Sequence, residues 1–170
     1  KMKKLFIIFL LLFLPQFSWA TVRSYDGTDD NISMGNVLDV TTGNVSLCAW
    51  TKMTENATGD PIIGKKNDAN ATSAGCQLRQ LSTDQADIRC ADGVTLVESI
   101  STTDIDDAWY FSCMTWDGST DTAILYVNAV QEDTDTGIAV LSLTNAISFS
   151  IGTQGNGNDM NGLAAHGMQF

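Results

Sequence analysis

The sequence predicts an all-β protein, an antiparallel two-sheet sandwich of the jelly-roll kind. Three observations lead there. Apolar stretches along the chain are short, rich in β-branched and aromatic residues, and separated by Gly, Asn, Asp and Thr, and no long segment keeps a helical period. The run 109–116 (WYFSCMTW) is followed by the polar turn Asp117-Gly118-Ser119-Thr120 and then by Ile124-Leu125-Tyr126-Val127-Asn128, which reads as a hairpin. Two strand-like segments, 45–50 and 109–116, each carry a cysteine, Cys48 and Cys113.

Taken in order, the chain opens with Lys3 and Lys4, an unbroken apolar run over 5–14 and Pro15, then Ser18-Trp19-Ala20 with small residues where a signal peptidase reads. The apolar run is too short to span a bilayer. Residues 1–20 therefore read as a signal peptide and 21–170 as one domain, large enough to bury a core. Export makes the expected location secreted, periplasmic or cell-surface.

Strands are expected at 22–26, 31–34, 44–52, 61–66, 75–81, 86–91, 94–100, 109–116, 123–128, 138–143, 146–151 and 162–169. Their number and close spacing suit a sandwich or jelly roll. The strand around Trp50 alternates Val45, Leu47 and Ala49 with Ser46, Cys48 and Trp50. Apolar bulk on both faces marks a central strand. In 109–116 the two tryptophans have opposite parity and must point to opposite faces. Burial in the core is the expectation for both, since large aromatics are buried on average.

The formal charge is -11. Loss of residues 1–20 removes Lys1, Lys3 and Lys4 and leaves -14. Such acidity repels nucleic-acid phosphates and anionic membranes, so neither is an expected partner. It also leaves many oxygen donors for a divalent cation.

Four cysteines in an exported chain imply disulfides, and three pairings are open. The favoured one is Cys48–Cys113 with Cys76–Cys90. Folding 76–90 about Thr83 sets Cys76 opposite Cys90 and Leu78 opposite Ile88, a geometry that permits a bridge. A zinc site would need short Cys or Cys/His clusters, and the only histidine is His166.

The residues also match a family pattern. Residues 24–32 (SYDGTDDNI), 45–52, 62–65 (IIGK), 109–127, 150–152 and 161–163 occur in the order of the hallmark segments of laminin-G-like, concanavalin A-like jelly-roll domains. The resemblance covers nearly all of 21–170. The placement of Cys48 and Cys113 within the two hallmark strands resembles the pentraxin branch, whose intradomain disulfide joins them, and this supports the Cys48–Cys113 pairing. The resemblance implies a recognition module for a glycan or an extracellular protein, often with loop-bound calcium. It departs from the family at the closing strand, 163–170 (LAAHGMQF), where the family is acidic-apolar and continues. The domain is accordingly expected to be truncated at its C-terminus.

Calcium is the one cofactor with support. Its oxygen donors would come from two loops, Asn67, Asp68 and Asn70 in one and Gln154, Asn156 and Asp159 in the other. The second loop has amides where the pentraxin pattern has carboxylates, so the resemblance implies weak binding. As ordinary polar turns the same residues need no ion. A site around Asp26, Asp29 and Asp30 is weaker still.

Other motifs fail on context. Residues 59–65 (GDPIIGK) resemble a phosphate-binding loop, but Lys66 stands where Ser or Thr must hold magnesium. Residues 155–160 match half of a calcium β-roll repeat that requires stacked copies. Glycoside hydrolysis generally needs two positioned carboxylates. Glu55, Glu98 and Glu132 are isolated in the sequence, and Asp104-Ile105-Asp106-Asp107 fits a polar turn. The expectation is a non-catalytic module, with a structural or adhesive domain and, last, a polysaccharide hydrolase as alternatives.

Overall fold

The computed structural model describes residues 23–24, 31–40, 43–53, 60–67, 71–137, 144–152 and 166–169. Of residues 23–24, 60 and 166–169 only the backbone is described. The strands among them, in chain order, are β1 (Arg23–Ser24), β2 (Ile32–Ser33), β3 (Val45–Lys52), β4 (Asp60–Lys65), β5 (Gly75–Gln80), β6 (Gln85–Ala91), β7 (Leu96–Asp104), β8 (Trp109–Asp117), β9 (Thr122–Val127), β10 (Val130–Thr136), β11 (Ser150–Ile151) and β12 (His166–Gln169). They form two six-stranded sheets. Sheet I has the order β1-β12-β3-β8-β9-β10 and sheet II the order β2-β11-β4-β5-β6-β7. Every pairing between strands is antiparallel.

Period-two patterning builds the core. In β8 and β9 the residues Met114, Trp116, Ala123, Leu125 and Val127 are buried and their neighbours in sequence are not. They meet Leu78, Ile88 and Val97 of sheet II in one cluster with Ile62, Ile105 and Phe149. Trp116 is 2% exposed. Burying an aromatic of that size contributes roughly 3 kcal/mol to stability.

The predicted hairpin is present. Asp117 accepts hydrogen bonds from the backbone N–H and hydroxyl of Ser119 at 2.8 and 2.7 Å, and Cys113 lies across from Tyr126. The second hairpin turns around Thr83 and sets Cys76 opposite Cys90 and Leu78 opposite Ile88, as the sequence predicts. β3 is central, between β12 and β8. Both favoured bridges are formed, Cys48–Cys113 across β3 and β8 and Cys76–Cys90 across β5 and β6.

Three strands depart from expectation, and in the first, β11, only Ser150–Ile151 of the expected 146–151 pair while 146–149 form no strand. β7 runs on to Asp104, beyond the expected end at 100, and Ile105 behind it is fully buried rather than part of a polar turn. β10 was not expected at all, since its sequence VQEDTDT has no apolar alternation. The expected strand at 138–143 lies outside the described residues, as does the span 1–20.

β10 explains itself through its acids. It is one edge of sheet I, and β7 is one edge of sheet II. The backbone N–H groups of Glu98, Ile100 and Thr102, on the unpaired side of β7, donate to Asp135 at 3.2 Å, Asp133 at 3.0 Å and Glu132 at 3.1 Å. The hydroxyls of Thr102 and Thr103 donate to Glu132 at 2.6 and 2.7 Å. Those hydroxyl bonds hold the Glu132 carboxyl below its ordinary pKa. Three carboxylates thus take the place of a neighbouring strand and join the two sheets along one side.

Glycine is required where β4 meets β5. A Cβ on Gly64 would lie 2.6 Å from Gln77 Cα, and one on Gly75, at φ 132°, would lie 1.9 Å from the Lys65 carbonyl oxygen. Without side chains the two strands approach closely.

Candidate functional site

Of the six residues expected to hold calcium, Asn67 is described. It follows β4 directly, is half-buried, and accepts a hydrogen bond at its carbonyl from Lys66 Nζ at 3.3 Å. Asp68, Asn70, Gln154, Asn156 and Asp159 lie outside the described residues, as do Asp26, Asp29, Asp30 and Glu55. Among the described residues no three His, Cys, Asp or Glu side chains converge as a metal site.

The outer face of sheet I carries aromatic rings. Trp50 of β3 lies opposite Phe111 of β8, with ring centroids 5.5 Å apart and planes tilted by 42°. Trp109 lies two pairs further along on the same face, opposite Lys52. Trp50 is 43% and Trp109 42% exposed. The expected burial of Trp109 is therefore wrong, and that of Trp116 is right. Parity assigns the two rings to opposite faces, but only one face of β8 has a second sheet above it. On the other side of the Trp50–Phe111 pair, the Cys48–Cys113 bridge fixes the two strands in register, with Tyr126 beside it. The shelf is thus built on the centre of a cross-linked sheet and not on loops.

The outer face of sheet II is charged yet largely buried. Gln77, Arg89 and Glu98 form one row across β5, β6 and β7, and Arg79, Asp87 and Ile100 the next. Arg79 Nε donates to Asp87 Oδ2 at 2.5 Å and its Nη2 lies 3.5 Å from Glu98 Oε1. Arg89 Nε donates to Glu98 Oε1 at 2.5 Å and lies 3.6 Å from Asp87 Oδ2. Asp87 has no exposed surface, and its Oδ1 finds no hydrogen-bond partner among the described residues. Burial raises the Asp87 carboxyl pKa to about 6, against the opposing pull of Arg79.

In the sequence Glu98 stands isolated; register brings it to Asp87 through the two arginines. The signal was available, since folding about Thr83 also sets Arg79 opposite Asp87. A near-neutral carboxyl beside a second one has the ingredients of acid catalysis. The alternative is a structural ion network, and the geometry favours it. Asp87 has no surface for a substrate, and both arginines hold Glu98.

A third feature is a cavity of about 200 Å³ beneath Leu38 and Val40, at the start of β3.

The family model described as the concanavalin A-like lectin/glucanases superfamily matches residues 26–166. No curated protein matches the chain. Among solved structures that resemble it is the CBM40 of the Ruminococcus gnavus IT-sialidase, bound to α2,3-sialyllactose. Its identity is 13%, its TM-score 0.58, and the match covers 88% of this chain and 91% of that one. The NanB sialidase of Streptococcus pneumoniae matches at 13% identity and TM-score 0.61 over 86% of this chain and 24% of its own. The LG1-3 region of the laminin α2 chain matches at 11% identity and TM-score 0.57 over 76% of this chain and 25% of its own. At these identities the likeness is one of fold.

Proposed function

The chain belongs to the concanavalin A-like lectin/glucanases superfamily, and from that premise we propose that it is an exported, non-catalytic module that binds carbohydrate. One observation carries the reading: two tryptophans stand more than two-fifths exposed on the outside of a rigid sheet, beside a third ring, Phe111. Exposed aromatics are costly in water unless a partner covers them, and the C–H faces of sugar rings are such a partner. Lys52, across from Trp109, supplies a donor at the rim for sugar hydroxyls. The neighbour from Ruminococcus gnavus, of the same fold, binds a sialylated lactose. Here the strong negative charge favours neutral sugars over acidic ones.

Export rests on residues 1–20 acting as a signal peptide and on two disulfides, which persist in oxidising compartments. Among the described residues no helix is long and apolar enough to cross a membrane. Calcium is part of the proposal at Asn67, Asp68, Asn70, Gln154, Asn156 and Asp159. That set offers oxygen donors only, as calcium prefers, but two carboxylates among six groups suit a weak site.

The test is a panel of neutral and sialylated glycans, with binding measured for the native chain, Trp50→Ala and Trp109→Ala, each with and without EDTA. Binding that both substitutions abolish while the fold persists supports the shelf. Binding that survives both, or no binding across the panel, overturns it. Release of reducing sugar from any bound polysaccharide would reverse the non-catalytic assignment.

A further inference from the structure

Residues 34–40 lie over a cavity whose chemistry differs from that of the shelf. The segment is tied to Phe149 by two backbone hydrogen bonds, Met34 N–H to the Phe149 carbonyl and Phe149 N–H to the Gly35 carbonyl, both 2.9 Å. Gly35 and Leu38 have φ of 73° and 57°, which folds the segment into a compact loop, and Leu38 takes this strain without being a glycine. The loop carries Leu38 and Val40 over the cavity, and Val45, Leu47, Cys76 and Phe149 complete the apolar wall.

One cation faces this apolar space. Lys65 stands on the core side of β4, opposite Cys76, and is 1% exposed. Its Nζ donates to Asn36 Oδ1 at 2.7 Å and forms an ion pair with Asp39. Both partners come from the loop above. The Asp39 side chain is 44% exposed, so its carboxylate can return to water at little cost. A buried ammonium has no such option and must keep an anionic or polar partner.

We propose that this cavity binds a small monocarboxylate with a short apolar tail. The ligand's carboxylate takes the place of Asp39 on Lys65 Nζ, and its tail fills the space between Leu47 and Phe149. The volume suits this: a cavity of about 150 Å³ holds benzene, and this one is somewhat larger. A neutral or cationic ligand of the same shape would fill the space but could not replace Asp39. The site is independent of the aromatic shelf, and of the glycan reading built on it.

The experiment titrates the full chain with hexanoate, hexanol and hexylamine, read by amide chemical shifts. Hexanoate is expected to shift residues 34–40 and 149 at millimolar concentration and to bind roughly tenfold more tightly than hexanol, with hexylamine weaker still. Asp39→Asn removes the competing carboxylate and should strengthen hexanoate binding severalfold. Lys65→Met should bring hexanoate down to the level of hexanol. If Lys65→Met does not fold, the native ligand ranking and Asp39→Asn still decide. Equal binding of hexanoate and hexanol, shifts confined to the Trp50 and Trp109 region, or no saturable shift at all would each overturn the proposal.

Discussion

The two outer faces of the sandwich invert the usual distribution of polarity. Sheet I turns tryptophan toward water, whereas sheet II keeps Arg79 and Asp87 almost wholly out of it. The same alternation of strand side chains produces both. The difference lies in partners. Arg79, Asp87, Arg89 and Glu98 of sheet II each have an opposite charge within 3.6 Å on a neighbouring strand, while Trp50 and Trp109 keep more than two-fifths of their surface open. A paired buried ion serves the structure, and on the reading proposed above an uncovered exposed ring serves a ligand.

Breaking the buried network should have the largest effect. Arg79→Ala leaves Asp87 without its closest cation and should cost about 3–5 kcal/mol of unfolding free energy in urea. Joint replacement, Arg79→Met with Asp87→Leu, should recover most of that loss, because the Arg89–Glu98 pair stays intact. A double variant as unstable as the single one would mean that the network contributes through more than charge pairing.

The next effect concerns pH. The folded-state pKa of Asp87 is raised to about 6 from 3.8, so the folded protein holds a proton that the unfolded chain releases. The contribution of Asp87 to stability is complete below about pH 4 and is lost as pH rises through 6. Its size is roughly 3 kcal/mol. Glu132, Asp92 and Asp117 have lowered values, and their contributions are lost as pH falls through those values. Thermal unfolding should therefore show a maximum below pH 6 that Asp87→Asn removes. A midpoint that is flat between pH 7 and 5 in the native protein would contradict the burial argument.

The tryptophans sharpen the contrast on sheet I. Trp116→Ala should cost about 3–5 kcal/mol, since it opens the core. Trp109→Ala, seven residues away on the same strand, should cost less than about 1 kcal/mol and act on glycan binding instead. Similar losses from both would place Trp109 in a structural contact. The smallest effect expected is that of Glu132→Gln, at most about 1 kcal/mol by chemical denaturation, because that carboxylate is largely solvated.

Much of the architecture is legible in the sequence. The hairpin around Asp117 to Thr120, the turn at Thr83 and the central position of β3 follow from turn chemistry and parity; the Cys76–Cys90 pairing sits on the Thr83 register, and the Cys48–Cys113 pairing rests on the resemblance of its two strands to the pentraxin pair. β10 escaped because its inward positions are Asp133 and Asp135, which bond to backbone N–H groups instead of entering a core. Trp109 was misplaced because parity separates faces without saying which one is covered. The ion network needed three strands in register at once, and the cavity at Lys65 depends on the irregular loop 34–40, for which no periodicity exists. The calcium residues, apart from Asn67, fall outside the described part of the chain.

The row of acids on β10 has a consequence for assembly. An open strand edge invites the corresponding edge of another molecule, the first step toward a fibre. At Glu98, Ile100 and Thr102 the donors that such a visitor would need are already engaged from within. Concentrated on a surface or strung in tandem, copies of this domain can crowd side by side along that flank without polymerising through it.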